Sequence, residues 1–138
     1  LEKPIRFVDL AGIVPRLLSL GESRRRGRRQ ARLGSQLEIV GDLITELAMR
    51  YDGDEGLFRA YGSVEFLAPL FAGDWVEAHG RIARVGTTSR TCEFEVWKVG
   101  GPRHDLSESA AEFLDEPVLT CRASGTTVVA KDNQRFAH

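Results

Sequence analysis

Residues 41–58 read GDLITELAMRYDGDEGLF, residues 64–99 read VEFLAPLFAGDWVEAHGRIARVGTTSRTCEFEVWKV, and residues 121–135 read CRASGTTVVAKDNQR. The middle stretch decides the fold. From Trp75 to Val85, Val76, Ala78, Gly80 and Ile82 alternate with Glu77, His79 and Arg81. After Gly86, the run Ser89–Val99 sets Cys92, Phe94 and Val96 against Glu93, Glu95 and Trp97. Such alternation marks antiparallel strands with two distinct faces.

Working outward, Ala60–Leu67 reads as the strand before, and Val118–Val129 as the last strand. The Ala68–Asp74 turn between two strands holds Pro69 and Gly73. Residues 100–116, with Pro102 and an acidic run, read as a polar excursion. Upstream, the period changes. Leu37, Val40, Ile44, Leu47 and Tyr51 recur at intervals of three and four and build one apolar helical stripe. Ser35 with Glu38 has the spacing of a capping box, and Gly53 is placed to end the helix. A helix over 35–51 is therefore expected. In residues 1–34, PIRFVDL reads as a short first strand and IVPRLLSL as a short helix after Pro15. The segment GESRRRGRRQARLGS that follows has no alternation and reads as exposed. The expected organisation is a divergent segment over 1–34 and a single domain over 35–138.

A lone helix packed on such a sheet is α+β architecture, and the order helix, then long strands, is that of a hot-dog fold. Long strands at the edge of a small sheet need covering. A homodimer or a higher even homo-oligomer, joined through sheet edges, is the expected assembly.

Bulk composition narrows the function classes. With 138 residues, 42% hydrophobic and 28% charged, the chain has the profile of one globular domain with a real core. No apolar run approaches the ~20 residues of a spanning helix. No basic start leads into an apolar core and a cleavage site, so neither membrane nor signal peptide is expected, and the cytoplasm is the expected location. The net charge of −1 gives no global field toward nucleic acid. Arg24, Arg25, Arg26, Arg28, Arg29 and Arg32 are clustered, but without aromatic interleaving or a reading element. Cys92 and Cys121 fall inside strands and read as buried free thiols, without metal-ligand spacing.

The residue types that could carry chemistry are mostly carboxylates. Glu38, Asp42 and Glu46 stand four apart on the polar edge of the helix, with Arg50 next in the row. Like charges at that spacing cost a few tenths of a kcal/mol per pair. They are either a solvated face or carboxylates kept for a task, because burying one unpaired is expensive. Thr45 lies beside them and could orient a carboxylate or a ligand. Glu65, between Val64 and Phe66, faces either solvent or a pocket near the helix, where a partly desolvated glutamate suits general acid or base work. Asp74 reads as turn chemistry, and DGDEG at 52–56 lacks the rest of a calcium loop. His79, His104 and His138 have no nucleophile partner at a recognisable motif. No Gly-rich phosphate loop is present. Lys98, Arg103, Lys131 and Arg135 are the surface cations available to an anionic substrate.

The stretches GDLITEL, RYDGDEGLF, VEFLAPLFAGD, VGTTSR, EFEVWKV and KDNQR resemble the 3-aminobutyryl-CoA and β-alanyl-CoA ammonia-lyases over residues 41–135. The resemblance implies reversible elimination of ammonia from a β-aminoacyl-CoA to the 2-enoyl-CoA, crotonyl-CoA in lysine fermentation. It implies no metal or organic cofactor, coenzyme A being part of the substrate. Asp42 and Glu46 in GDxxTE and Glu65 in VEF match the family's wording and are the implied catalytic carboxylates. Thr45 and the four cations are candidate substrate contacts by residue type and position alone. The resemblance breaks upstream: where the family carries a His-Tyr-Gly-Gly-like stretch, this chain has ESRRRGRRQARLGSQLEIV. An arginine run is also what a GC-rich coding region yields out of frame, which would leave a folded but inactive chain. Two further readings stay open, a hot-dog thioesterase or hydratase and a catalytically damaged acyl-CoA-binding homologue.

Overall fold

In the computed structural model, which describes residues 16–19 and 33–136, one α-helix crosses a five-stranded antiparallel sheet. The elements are β1 (Arg16–Ser19), α1 (Leu33–Asp52), β2 (Leu57–Phe66), β3 (Trp75–Val85), β4 (Ser89–Pro102) and β5 (Ala111–Val128), followed by a 3₁₀ turn at Lys131–Asn133. The strand order is β1-β3-β4-β5-β2. β2 is thus carried across to pair with β5, and β1 and β2 form the two edges.

The helix lies against one face of the sheet. Val40, Leu43, Ile44 and Leu47 are buried to 2% exposure or less, against Val76, Ala78 and Ile82 of β3, Cys92, Phe94 and Val96 of β4, and Cys121 and Ala123 of β5. These are the residues that the 3-4 stripe and the strand alternation place inside. Burying each large aliphatic side chain contributes roughly 1.5–3 kcal/mol. Close approach needs a gap in the sheet surface at Gly80, where a Cβ would lie 3.0 Å from Phe94 Cδ1 and 3.3 Å from Leu47 Cδ1. The helix ends as expected: Gly53 takes φ 70° and donates its N–H to the Met49 carbonyl at 2.9 Å.

Three expectations are corrected. The helix begins at Leu33, so Ser35 lies within its first turn rather than at its cap. Residues 16–19, expected in a helix after Pro15, form a strand whose partner is β3, with Leu17 opposite Glu77 and Ser19 opposite Trp75. Pairing with the open edge of β3 overrides the local pattern. The polar excursion is also shorter than 100–116, because β4 runs to Pro102 and β5 starts at Ala111, with Gly101 opposite Glu112. An arm without a core face carries no alternation to be read. The strand expected over PIRFVDL and the arginine run lie outside the described residues.

Cys92 and Cys121 are free, buried thiols. Burial pushes Cys92 up to about 12 and Cys121 up to about 11, which suits packing rather than nucleophilic chemistry.

Candidate active site

Asp42 and Glu46 sit one turn apart on the side of α1 that faces away from the sheet. Their spacing puts them ~6 Å apart along the helix axis. Asp42 and Glu38 are exposed, and Glu46 is partly buried. Glu46 accepts a hydrogen bond from Arg50 Nε at 3.1 Å, which fixes its carboxylate toward the C-terminal end of the row. Thr45 stands beside them and donates its hydroxyl to the Gly41 carbonyl at 3.1 Å, which leaves the oxygen with acceptor capacity. The structure therefore brings Asp42, Glu46 and Thr45 together on one open face.

Glu65 does not join them. Val64 packs against the core, opposite Ala123, so the neighbouring Glu65 points to the other side of the sheet, opposite Arg122. It is exposed there. The expectation of a carboxylate aimed at a pocket near the helix is corrected by this phase: residues i and i+1 of a strand cannot share a face. The same outer face carries Glu95, 3.7 Å from Arg122 Nε, and the buried His79, whose Nε2 lies 2.5 Å from Glu77.

The four candidate cations divide likewise. Lys98 Nζ stands 3.3 Å from the fully buried Asp74, which also accepts the Phe71 N–H at 2.8 Å and closes the turn before β3. Arg103 donates to Asp105 at 2.7 and 2.8 Å and to both Glu112 oxygens at 2.9 and 3.0 Å, clamping the loop between β4 and β5. Those bonds raise the Arg103 pKa and hold Asp105 below the usual carboxylate range. Both cations are engaged in ion pairs with turn or loop carboxylates. Lys131 and Arg135 lie elsewhere, exposed beside the C-terminal end of α1.

That end is a dense polar corner which the sequence reading did not assemble. Arg90 and Asp52 are 1% and 0% exposed and form a bidentate pair, Nε to Oδ2 at 2.8 Å and Nη2 to Oδ1 at 2.9 Å. Arg90 Nη1 also donates to the Gly86 carbonyl at 2.8 Å, and the guanidinium lies 5.1 Å from the centre of the Tyr51 ring. Gln134 Nε2 donates to the Thr87 carbonyl at 2.9 Å, and the Arg135 N–H to the Asp52 carbonyl at 2.9 Å. Three distant stretches, RYDGDEG, VGTTSR and KDNQR, thus meet at one place. Their charged residues inside otherwise ordinary turns were the available signal. At the other end of the helix, Gln36 is buried at 2% exposure, with its Oε1 3.0 Å from the Thr120 hydroxyl.

A single twenty-residue helix on an antiparallel sheet of this order, with a carboxylate row on its outer side, defines a hot-dog domain. Residues 42–103 match the family model of the thioesterase superfamily. The solved hexameric hot-dog thioesterase of Campylobacter jejuni superposes with a TM-score of 0.65 at 19% identity, covering 87% of this chain and 85% of the other, a likeness of fold. Much nearer in sequence is the 3-aminobutyryl-CoA ammonia lyase of Acetoanaerobium sticklandii, 54% identical over 99 residues, 72% of this chain and 79% of that protein. The β-alanyl-CoA:ammonia lyase of Clostridium propionicum superposes with a TM-score of 0.80 at 35% identity, covering 91% of this chain and 90% of that one. The chain belongs to this family of acyl-CoA ammonia-lyases.

Proposed function

We propose that the protein catalyses the reversible elimination of ammonia from a β-aminoacyl-CoA, converting 3-aminobutyryl-CoA to crotonyl-CoA. The observation that carries this reading is the 54% identity to the ammonia lyase that acts on 3-aminobutyryl-CoA. The chemistry is intelligible on the helix face. A thioester acidifies the hydrogen on its α-carbon. Asp42 takes that proton, the C–H electron pair becomes the new carbon–carbon double bond, and the β-carbon–nitrogen bond breaks with its pair leaving on ammonia. Glu46, held by Arg50, is the anionic group that receives the substrate ammonium before it leaves. Thr45, whose hydroxyl proton goes to the Gly41 carbonyl, can accept a hydrogen bond from the substrate ammonium. No metal or organic cofactor takes part in this scheme. Glu65, on the far side of the sheet, has no part in this scheme within one protomer.

The same reading requires a second copy of the chain. Asp42 is open to water in one protomer, whereas proton abstraction beside a thioester gains from a water-poor site. Among the described residues β2 pairs with β5 alone, so its other edge is open along the strand's length, flanked by exposed Leu57, Phe58, Phe66 and Leu67. An edge of that length is a template for another strand. The proposed assembly is a homo-oligomer joined through β2 in which a neighbouring subunit closes the helix face.

The test is incubation with crotonyl-CoA and ammonium. Loss of the enoyl absorbance without release of free thiol supports the lyase. Thiol release faster than enoyl loss would replace it by hydrolysis, the activity suggested by the thioesterase-superfamily match.

A further inference from the structure

The carboxylate row on the outer side of α1 ends in a cation. Glu38, Asp42 and Glu46 are followed, one turn further on, by Arg50 in the last turn of the helix. Arg50 reaches back to Glu46 with two nitrogens, Nε at 3.1 Å and Nη2 at 3.0 Å, and both contacts fall on the same oxygen, Oε2. Arg50 is 57% exposed and Glu46 22%. An exposed pair at this spacing adds little to the stability of the fold, and a cation in the last turn also suits the helix dipole. The dipole would be served by a cation at any exposed position of that turn. Arg50 instead stands on the carboxylate that receives the ammonium, one turn from the proposed base.

We propose that Arg50 is a positioning residue of the elimination, acting through Glu46: it takes over the Glu46 carboxylate as the substrate ammonium becomes neutral ammonia. The assignment rests on the lyase reading above. Before the carbon–nitrogen bond breaks, the helix face carries two anions, Asp42 and Glu46, and two cations, Arg50 and the ammonium. The α-proton then passes to Asp42, and the carbon–nitrogen bond pair leaves on the nitrogen. The charges of Asp42 and of the ammonium vanish together, and Glu46 loses one of its two cations. Its contact with Arg50 supplies the other, so the four groups sum to zero before the reaction and after it. Without Arg50 the face would carry one unbalanced negative charge. In the ground state that charge would hold the ammonium more tightly, and at the transition state, where the ammonium charge is fading, the hold would be lost. Binding that is stronger in the ground state than in the transition state slows turnover. An exposed side chain of this length makes room for the ammonium by rotation about its own bonds and returns as ammonia leaves.

The experiment follows elimination from 3-aminobutyryl-CoA by the full chain, as the rise of the enoyl absorbance, with denaturant midpoints of the variants measured beside it. Arg50→Gln is expected to stay folded, to lower kcat about tenfold and to lower KM about threefold, a joint fall that a merely structural role would not produce. Arg50→Lys, which keeps a cation within reach of Glu46, should hold kcat within about threefold of the parent. In a Glu46→Gln background, Arg50→Gln should change kcat by less than about twofold, because no carboxylate is left for it to serve. A raised KM with kcat unchanged, an equal loss in Arg50→Lys, or the full loss again in the Glu46→Gln background would each overturn the assignment. A parent protein that forms no enoyl product loses the reaction assignment and this inference with it. A parent that forms it, while Arg50→Gln leaves kcat and KM untouched, loses this inference alone.

Discussion

The two halves of the helix contrast sharply. Around Asp42 and Glu46 the outer face is open, and Glu46 pairs with Arg50. About two turns later, Tyr51 to Gly56 is locked by the buried bidentate pair of Asp52 with Arg90, two left-handed glycines and hydrogen bonds from Arg135 to the Asp52 and Gly53 carbonyls. The wording that resembles the ammonia-lyases covers both halves, yet by this account the two are kept for different reasons. One half holds the fold, and in the proposed reading the other presents its carboxylates to a substrate.

The largest expected effect lies in the locked half. Arg90→Met leaves the Asp52 carboxylate buried without its bidentate partner and should cost about 3–5 kcal/mol in denaturant unfolding. The double variant Asp52→Asn with Arg90→Met should recover part of that loss, since it removes the uncompensated charge. A loss under 1 kcal/mol for Arg90→Met would erase the contrast.

The open half should behave in the opposite way. Asp42→Asn is expected to change stability by no more than about 0.5 kcal/mol while lowering turnover roughly a hundredfold or more. Glu46→Gln should also lower turnover and raise the ammonium concentration needed for half-maximal rate. Loss of folding without loss of specific activity would assign Asp42 to the scaffold instead.

Smaller effects sharpen the picture. Glu65→Gln, on the outer sheet face, should leave stability within about 0.5 kcal/mol and turnover within twofold. A hundredfold loss would place Glu65 in a pocket of the assembled oligomer. Burial raises both cysteine pKa values, so their thiolates are disfavoured and their contribution to stability is complete below the ordinary thiol pKa. It declines as the pH rises through the alkaline range toward 11–12, because the unfolded thiols ionise first. Both thiols should accordingly resist an aqueous thiol reagent at pH 8 until the protein unfolds, and rapid native labelling would contradict their burial.

What was legible in the sequence follows the same division. The helix stripe and the alternation in β3 and β4 could be read because each element has one face against a core, so Val40, Ile44, Leu47, Val76, Phe94 and Val96 announce their positions. The β4–β5 arm beyond Gly100 has no core face, so its pairing was hidden in a polar stretch. β1 was misread because four residues are too few to show a period, and its partner is supplied by β3 some sixty residues on. For Glu65 the choice between solvent and a pocket stayed open in the sequence, because β2 is an edge strand with exposed aromatics at Phe58 and Phe66, and apolar residues on an edge do not by themselves identify the core face. Asp42 and Glu46 were visible as a spaced row. The Asp52–Arg90 pair was not, because its members are 38 residues apart and meet only through the fold.

The most direct test of the central claim follows crotonyl-CoA with ammonium for the parent protein and for Asp42→Asn at equal folded concentration. Enoyl loss without thiol release is expected in the parent, and a rate lower by about a hundredfold in the variant. Equal rates in the two proteins would contradict it.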